Sequence, residues 1–404
     1  MTVPSLSCSI IILHLKHFRT LFPLKERKRT IMKTVLLIVL FFFFQNFKTS
    51  SSIHHKYDAI YNFGDSLSDT GNFLLSGALA FPVIGKLPYG ETFFRHATGR
   101  CSDGRLIIDY IAEAFGLPHL PPYLDIVREK KHVKTGVSFA VSGATALDTQ
   151  FFYAQGLGPL VWTNDSLSVQ LGWFKKFKSS LCSTKQECDE YFKKSLFLVG
   201  EIGGNDYNYP FFVGGSIKQA QALAPLVVGA ITKATSMLIE EGAMDVMVPG
   251  NLPIGCSAVY LTIFGPTSNQ SDYDPRTGCL KAYNAFARYH NQQLKRSLQM
   301  QRLKYPHARI TYADYYGAAM RLYHTPKRYG FKEGTLKACC GGGGPYNFNN
   351  SARCGHTGSR ACSNPSAYVN WDGIHLTDAA YGHISKGLIY GRFTSPPLTS
   401  LLGN

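Results

Sequence analysis

The chain carries a "GDS" triplet, ending at Ser66, directly after an apolar run at 58–63. A serine in this position is either a turn former or a nucleophile held at the end of a strand. Far along the chain, "WDGIHLT" places Asp372 three residues before His375. Because a serine hydroxyl needs a base, and histidine needs a carboxylate to fix its tautomer, the three residue types predict acyl transfer. Ser66 is the predicted nucleophile, His375 the base and Asp372 its partner.

Hydrogen-bond donors for a developing negative charge follow two further apolar runs. Gly143 lies in "SGATA", after the run at 137–141, and Asn205 lies in "EIGGNDY", after the run at 195–200. The backbone amides of Ser66 and Gly143 and the side chain of Asn205 are predicted to form an oxyanion hole. Loss of one such donor typically costs about 2.7–4 kcal/mol. Each residue alone is more typical of a turn or of close packing, but their order along the chain favours catalysis.

The segments around these residues alternate between short apolar runs and longer amphipathic ones. Strands are predicted at 58–63, 137–141, 195–200, 244–250 and 308–313. Helices are predicted at 102–116, 166–180, 217–241, 278–303 and 376–390, with Ser102 and Thr377 capping the first and the last. The pattern indicates one parallel sheet between helices, which binds ligands outside the carboxyl ends of its strands. The predicted donors and the nucleophile should therefore meet at one edge.

The N-terminal region is predicted to be a targeting segment. From Met32 the chain has a cationic start, then an apolar run and then small residues. This order is typical of a secretory signal peptide, and cleavage is predicted near 50–52. Its apolar run is shorter than a membrane-spanning helix, which needs about 20 apolar residues. We therefore assign 1–52 to an N-terminal extension plus signal peptide, with Met32 as the true start. Residues 53–404 are predicted to form a single domain, with a Cys/Gly-rich insertion at about 325–370 and no membrane-spanning stretch.

Cysteine use agrees with export. After Cys8, nine cysteines remain, which favours disulfides in an oxidising compartment. Zinc is the alternative, but no CxxC pair supports it, and no metal site is predicted. We predict a free Cys101 and four disulfides: Cys182–Cys188, Cys256–Cys279, and two among Cys339, Cys340, Cys354 and Cys362.

Charge limits the possible partners. Eight of the 42 basic residues and one of the 26 acidic residues precede His54, so the remaining chain carries a net charge of +9. No basic stripe is interleaved with aromatics, which excludes nucleic acid as a predicted partner. The charge fits weak association with acidic cell-wall polysaccharide or anionic lipid, or merely solubility. Sequons at Asn164, Asn269 and Asn349 predict glycosylation and a secreted, extracellular or vacuolar location.

Four sequence blocks resemble a known family. "FGDSLSDTGN", "FAVSGATA", "GEIGGNDY" and "DGIHLT" are similar to the blocks of plant GDSL esterases/lipases in the SGNH hydrolase superfamily. The resemblance spans nearly all of 57–394 and is closest to the acetylajmalan esterase and sinapine esterase-like branch. It implies a flavodoxin-like α/β/α sandwich with a central parallel sheet of about five strands and no cofactor. It also implies the roles given above to Ser66, Gly143, Asn205 and the Asp372–His375 pair.

The predicted function is that of a secreted serine esterase. It would hydrolyse small acyl or hydroxycinnamoyl esters of plant metabolites or wall sugars through an acyl-enzyme on Ser66. An acyltransferase using the same acyl-enzyme is an open alternative. A true lipase is less favoured because no lid helix or broad apolar surface stretch is evident. A catalytically silent binding protein is disfavoured by the intact site residues.

Overall fold

The computed structural model describes residues 56–77 and 79–398. The predicted extension and signal peptide at 1–52, with their start at Met32, lie outside the described residues and stay predictions. The strands of the described part are β1 (Ala59–Phe63), β2 (Gly136–Ser138), β3 (Ser195–Val199), β4 (Asp245–Pro249), β5 (Arg309–Ala313), β6 (Gly334–Ala338), β7 (Cys340–Gly341), β8 (Arg360–Ala361), β9 (Tyr368–Asn370) and β10 (Thr394–Ser395).

One central sheet contains all five predicted strands. Its order is β10-β5-β4-β3-β1-β2, and the first five strands of the chain run parallel. The predicted α/β fold is therefore confirmed. The sequence does not predict the antiparallel edge strand β10, because a two-residue strand is too short to show the alternation of apolar and polar residues.

Helices cover both faces of the sheet. They are α1 (Asn72–Leu75), α2 (Ile107–Ala114), α3 (Tyr123–Glu129), α4 (Thr149–Ala154), α5 (Leu167–Lys178), α6 (Lys185–Phe192), α7 (Gly204–Phe212), α8 (Ile217–Glu240), α9 (Ala258–Phe264), α10 (Lys281–Lys304), α11 (Tyr315–His324) and α12 (Asp378–Ile389). The predicted cap Thr377 accepts from Ala380 N at 3.2 Å. The predicted cap Ser102 is wrong: α2 starts at Ile107 with Leu106 as its N-cap, and Ser102 Oγ instead donates to Leu376 O at 3.2 Å.

Residues of β1 alternate between two hydrophobic cores. Ala59, Tyr61 and Phe63 pack on one face, and Ile60 packs on the other. Contrary to expectation, α8 is long and apolar enough to cross a membrane by length and composition alone. Half of the most apolar stretch of α8 is buried in the fold, where α8 packs against α10. Burial of this kind is typical of a core helix.

The Cys/Gly-rich stretch at 325–370 forms two small two-stranded sheets, β6-β9 and β7-β8. Disulfides Cys339–Cys362 and Cys340–Cys354 hold it together. The predicted disulfides Cys182–Cys188 and Cys256–Cys279 are also formed, and Cys101 is free and buried. The cysteine predictions are thus confirmed.

A polar cluster joins three strands at their amino ends. Tyr57, just before β1, donates to Asp245 Oδ2 at 2.5 Å, and Arg309 at the start of β5 donates to the same carboxylate at 2.6 Å. Beside it, Lys56 Nζ donates to Leu398 O at 2.9 Å. The first and last described residues therefore meet at this edge of the sheet.

Candidate active site

Ser66, His375 and Asp372 form one hydrogen-bonded line. His375 Nε2 lies 2.7 Å from Ser66 Oγ, and His375 Nδ1 lies 2.7 Å from Asp372 Oδ2. All three are buried: Ser66 is 8% exposed, Asp372 6% and His375 2%. The predicted nucleophile, base and orienting carboxylate are thus within the reach that acyl transfer requires.

The turn after β1 holds Ser66 against the end of β3. Gly64 has φ of 142°, and a Cβ there would lie 2.7 Å from Glu201 O. Asp65 N donates to the same carbonyl at 2.9 Å, and Asp65 Oδ1 accepts from Leu67 N at 3.0 Å. Only glycine tolerates both this conformation and this close approach. The sequence "GDS" therefore turns sharply at the carboxyl edge of the sheet.

The loop before α12 fixes the base. Asp372 Oδ1 accepts from the backbone amides of Ile374 at 3.1 Å and His375 at 2.9 Å. Its other oxygen accepts from Tyr89 OH at 2.8 Å as well as from the imidazole. With four donors, this carboxylate is held in one orientation and remains ionised.

The electrostatics follow from these contacts. Burial alone would raise the pKa of Asp372, but the His375 charge and the hydrogen bonds outweigh it and lower that pKa to about 2. Burial alone would lower the pKa of His375, yet Asp372 and then Cys101 raise it well above 6.5. The imidazole is therefore a stronger base than a free histidine.

The three predicted oxyanion donors come from neighbouring strand ends. β3, β1 and β2 are adjacent, and Asn205 Nδ2 donates to Ala144 O at 3.0 Å, which ties the loops after β3 and β2 together. Within 56–77 and 79–398, no acceptor takes the amide N–H of Ser66 or Gly143. Of these two residues, Ser66 lines the cleft and Gly143 does not.

A second feature of Gly143 explains its residue type. Its φ is 84°, and a Cβ would lie 2.6 Å from the Cβ of Trp162. Its carbonyl accepts from Tyr209 OH at 2.7 Å. The loop after β2 is therefore anchored at the Gly143 carbonyl, and glycine is required there by both the positive φ and the close approach of Trp162.

A hydrogen-bond relay fixes the Asn205 amide. Tyr260 OH on α9 donates to Asn208 Oδ1 at 2.8 Å, and Asn208 Nδ2 donates to Asn205 Oδ1 at 3.2 Å. Asn205 and Asn208 lie three residues apart on α7, on one side of the helix. Because Asn205 Oδ1 is occupied as an acceptor, its Nδ2 donors point away from Asn208.

A cleft of about 680 Å³ of empty space opens beside Ser66. Its polar lining residues are Asp65, Ser66, Glu201, Asn205, Asn208, Ser257 and Asn370. The rest of the lining is mainly apolar and aromatic: Leu67, Phe212, Leu252, Pro253, Ile254, Val259, Tyr260, Ala319, Tyr323, Ile374 and Leu376. A few polar groups in a mainly apolar cleft suit a small organic ligand.

The sequence pattern missed several groups that contact the site. Tyr89, which donates to Asp372, and Cys101, which lies near His375, come from distant loops, and no local pattern marks them. Glu201 and Asn208 lie in or beside the block "GEIGGNDY", whose position at a strand end was a usable signal. Among the described residues, no group of three or more His, Cys, Asp or Glu side chains could hold a metal ion.

Comparison with known proteins gives one consistent match. The family model "GDSL-like Lipase/Acylhydrolase" matches residues 60–388. A GDSL esterase/lipase of Arabidopsis thaliana is 59% identical over 344 residues, covering 84% of this chain and 92% of that protein. Sinapine esterase of Brassica napus is 50% identical over 343 residues, covering 84% and 87% of the two chains. A second Arabidopsis thaliana GDSL esterase/lipase is 46% identical over 367 residues, covering 91% and 92%.

Proposed function

The chain belongs to the GDSL-like lipase/acylhydrolase family, and on this premise we propose that it is a secreted serine esterase acting through Ser66. As a family member it is a carboxylic ester hydrolase. The observation that carries the mechanism is the hydrogen-bonded line from Ser66 through His375 to Asp372.

In the proposed cycle, Ser66 Oγ attacks the ester carbonyl carbon while His375 Nε2 takes the hydroxyl proton. The carbonyl oxygen becomes an oxyanion, held by the free amides of Ser66 and Gly143 and by Asn205. The C–O bond to the alcohol then breaks, and His375 returns the proton to the departing alcohol. Water attacks the acyl-enzyme with the same proton transfers, which releases the acid and restores Ser66.

The substrate class is a small organic ester. The cleft beside Ser66 is lined mostly by apolar and aromatic side chains with a few polar groups, which is typical of small-molecule sites. Its wall carries Phe212, Tyr260 and Tyr323, which suits an aromatic or short aliphatic acyl group. The name of the Brassica relative, sinapine esterase, is consistent with an ester of a plant metabolite. Wall sugar acetates belong to the same proposed class.

The proposed mechanism is tested with Ser66→Ala and the exposed control Ser76→Ala. A fluorophosphonate probe should label Ser66 in the wild-type protein and in the control, and the label should be absent from Ser66→Ala. Hydrolysis of an activated ester should be lost in parallel. Wild-type turnover by Ser66→Ala would refute the mechanism. Product analysis with an added alcohol acceptor separates hydrolysis from acyl transfer.

Secretion is supported by disulfides and exposed sequons. The four disulfides of the described part are typical of an oxidising compartment. Asn164, Asn269 and Asn349 are all exposed, as glycosylation requires. Expression in plant cells, with N-terminal sequencing and glycosidase treatment of the medium, tests this part. An N-terminus upstream of residue 50 on exported protein would contradict the proposed signal peptide.

Weak association with acidic polysaccharide is proposed for helix α10. The helix carries six basic residues and no acidic one, and five of the six are exposed: Lys281, Arg288, Lys295, Arg296 and Lys304. Such a stripe attracts polyanions at low ionic strength. Sedimentation with polygalacturonate should decrease when Lys295 and Arg296 are both changed to glutamate. Equal binding by that variant would count against α10.

A further inference from the structure

Two carboxyl groups converge beside the nucleophile, and the proposed cycle uses neither. Asp65 is 3% exposed and Glu201 is 4% exposed, and both line the cleft. A Cβ on Gly204 would lie 3.7 Å from Glu201 Oε2 and 3.8 Å from Asp65 Oδ2, so both oxygens surround one point. The two side chains are within hydrogen-bond reach of each other.

The partners of these oxygens are asymmetric. Asp65 Oδ1 accepts from Leu67 N, and Asp65 Oδ2 lies 3.4 Å from Asn205 Nδ2. In contrast, no donor within the described ranges reaches the buried Glu201 Oε2. An ionised carboxylate with a buried oxygen that lacks a donor, next to a second carboxylate, is strongly unfavourable. A proton between the two groups removes both problems.

We propose that Asp65 and Glu201 share one proton at neutral pH, that Glu201 donates it to Asp65, and that Glu201 thereby acts as a positioning residue for Asn205. The proposal rests on the proposed function of Ser66. Glu201 holds Asp65, and Asp65 in turn faces the Asn205 amide that would stabilise the oxyanion. The shared proton also limits the charge near the oxyanion to a single negative one. Loss of that proton adds a second negative charge there and destabilises the transition state.

Burial supports this protonation state. It raises the pKa of Asp65 to about 6, and burial together with the Asp65 charge raises the pKa of Glu201 well above its ordinary value. Like-charged carboxyls that share a site titrate as a pair in two separate steps. Between those steps the pair carries one proton.

Other titratable groups face the pair from the surrounding elements. They are Asp69 after β1, Asp206 and Tyr209 on α7, Tyr315 on α11, His375 before α12 and Tyr381 on α12. Burial raises the pKa of Asp206 to about 7, so Asp206 is the competing source of a pH effect near neutrality. The raised pKa values of the tyrosines keep those groups neutral.

The test compares Glu201→Gln, Glu201→Ala and Glu190→Gln in the full chain. Glu190 is the matched control, because its side chain is 71% exposed. Infrared difference spectra at neutral pH should show a protonated carboxyl C=O band that Glu201→Gln lacks and Glu190→Gln retains. The wild-type kcat should fall at alkaline pH, and Glu201→Gln should abolish this fall because its amide donates to Asp65 without ionising. Glu201→Ala should lower kcat at least fivefold more than Glu201→Gln, with little change in KM.

The proposal is overturned if Glu201→Gln keeps the band, or if its kcat still falls at alkaline pH as in the wild-type protein. It is also overturned if Glu201→Gln costs as much as Glu201→Ala, because an ionised Glu201 would then be required. Should the Glu201 variants not fold, Asp65→Asn provides the test, since loss of the neighbouring charge should move the alkaline fall to lower pH. Fluorophosphonate labelling of Ser66 is measured in parallel. If the probe does not label Ser66 of the wild-type protein, the proposed function itself is refuted.

Discussion

Asn208→Ala removes the group that orients the predicted oxyanion donor without touching the donor. In the native chain Asn208 Nδ2 donates to Asn205 Oδ1 at 3.2 Å, and Tyr260 OH holds Asn208 Oδ1 at 2.8 Å. In the variant, Asn205 Nδ2 keeps its contacts with Ala144 O and Asp65 Oδ2, but Asn205 Oδ1 loses the donor that helps to fix the orientation of the amide. We therefore expect a lower kcat with little change in KM.

The expected magnitude follows from the number of hydrogen bonds lost. One neutral hydrogen bond contributes about 0.5–1.5 kcal/mol, which corresponds to about a 2- to 12-fold decrease in kcat. Asn205→Ala removes the donor itself and should cost about 10²- to 10³-fold. Because Asn208 acts only through Asn205 in this scheme, the double variant should be no slower than Asn205→Ala.

Steady-state kinetics on an activated ester measure this double-mutant cycle, with thermal unfolding as the folding control. The cycle should give a coupling free energy equal to the effect of Asn208→Ala alone. Additive effects of the two changes, or an Asn208→Ala effect confined to KM, would refute the relay. In that case Asn208, which lines the cleft, would contact the substrate directly.

Three further predictions concern pH and stability. Because the pKa of His375 is raised above 6.5 and the base must be neutral, kcat/KM should rise with pH through a midpoint above 6.5 in a pH–rate profile. Changing Cys340 and Cys354 together to serine opens a disulfide with a sequence separation of 14 and should lower the free energy of unfolding by about 3 kcal/mol in denaturant titration. Arg100→Ala leaves the buried Asp109 carboxylate without its partner at 2.8 Å and should cost about 3–5 kcal/mol.

A different result would contradict each of these three predictions. A kcat/KM midpoint below 6.5 would show that the Asp372 charge does not act on the imidazole as the geometry indicates. If changing both Cys340 and Cys354 to serine leaves the free energy of unfolding unchanged, β7 and β8 are held together by packing alone. Arg128→Ala, on a side chain that is 65% exposed, is the control for Arg100→Ala, and equal losses would contradict a role for burial.

Local patterns were sufficient to predict the sheet and to show that the candidate site residues lie at one edge of it. The strands containing Ile60 and Leu196 are apolar on both faces, and their carboxyl ends bring Ser66 and Asn205 to one edge. The groups that support the site could not be predicted in this way. Tyr89 reaches Asp372 across 283 residues of sequence, and no local period encodes that distance.

The wrong helix cap and the open disulfide pairing both depend on tertiary contacts. Ser102 has the residue type of a helix cap, but its hydroxyl donates to Leu376 O, so tertiary contact overrides the local signal. The sequence leaves the pairing among Cys339, Cys340, Cys354 and Cys362 open, because connectivity depends on how the insertion folds. The contact of Ser102 spans 274 residues of sequence, whereas the two disulfides span 23 and 14, so local spacing is insufficient even at short range.

The hydrogen bond between Lys56 and Leu398 has a practical consequence for handling this enzyme. Both residues lie beside the amino ends of β1 and β5, whereas the cleft opens at the carboxyl ends of the strands. A resin or biosensor surface attached at Lys56 should therefore leave the cleft facing the solution. A short peptide joining Lys56 and Leu398 should permit a circular permutant with new ends in an exposed surface loop.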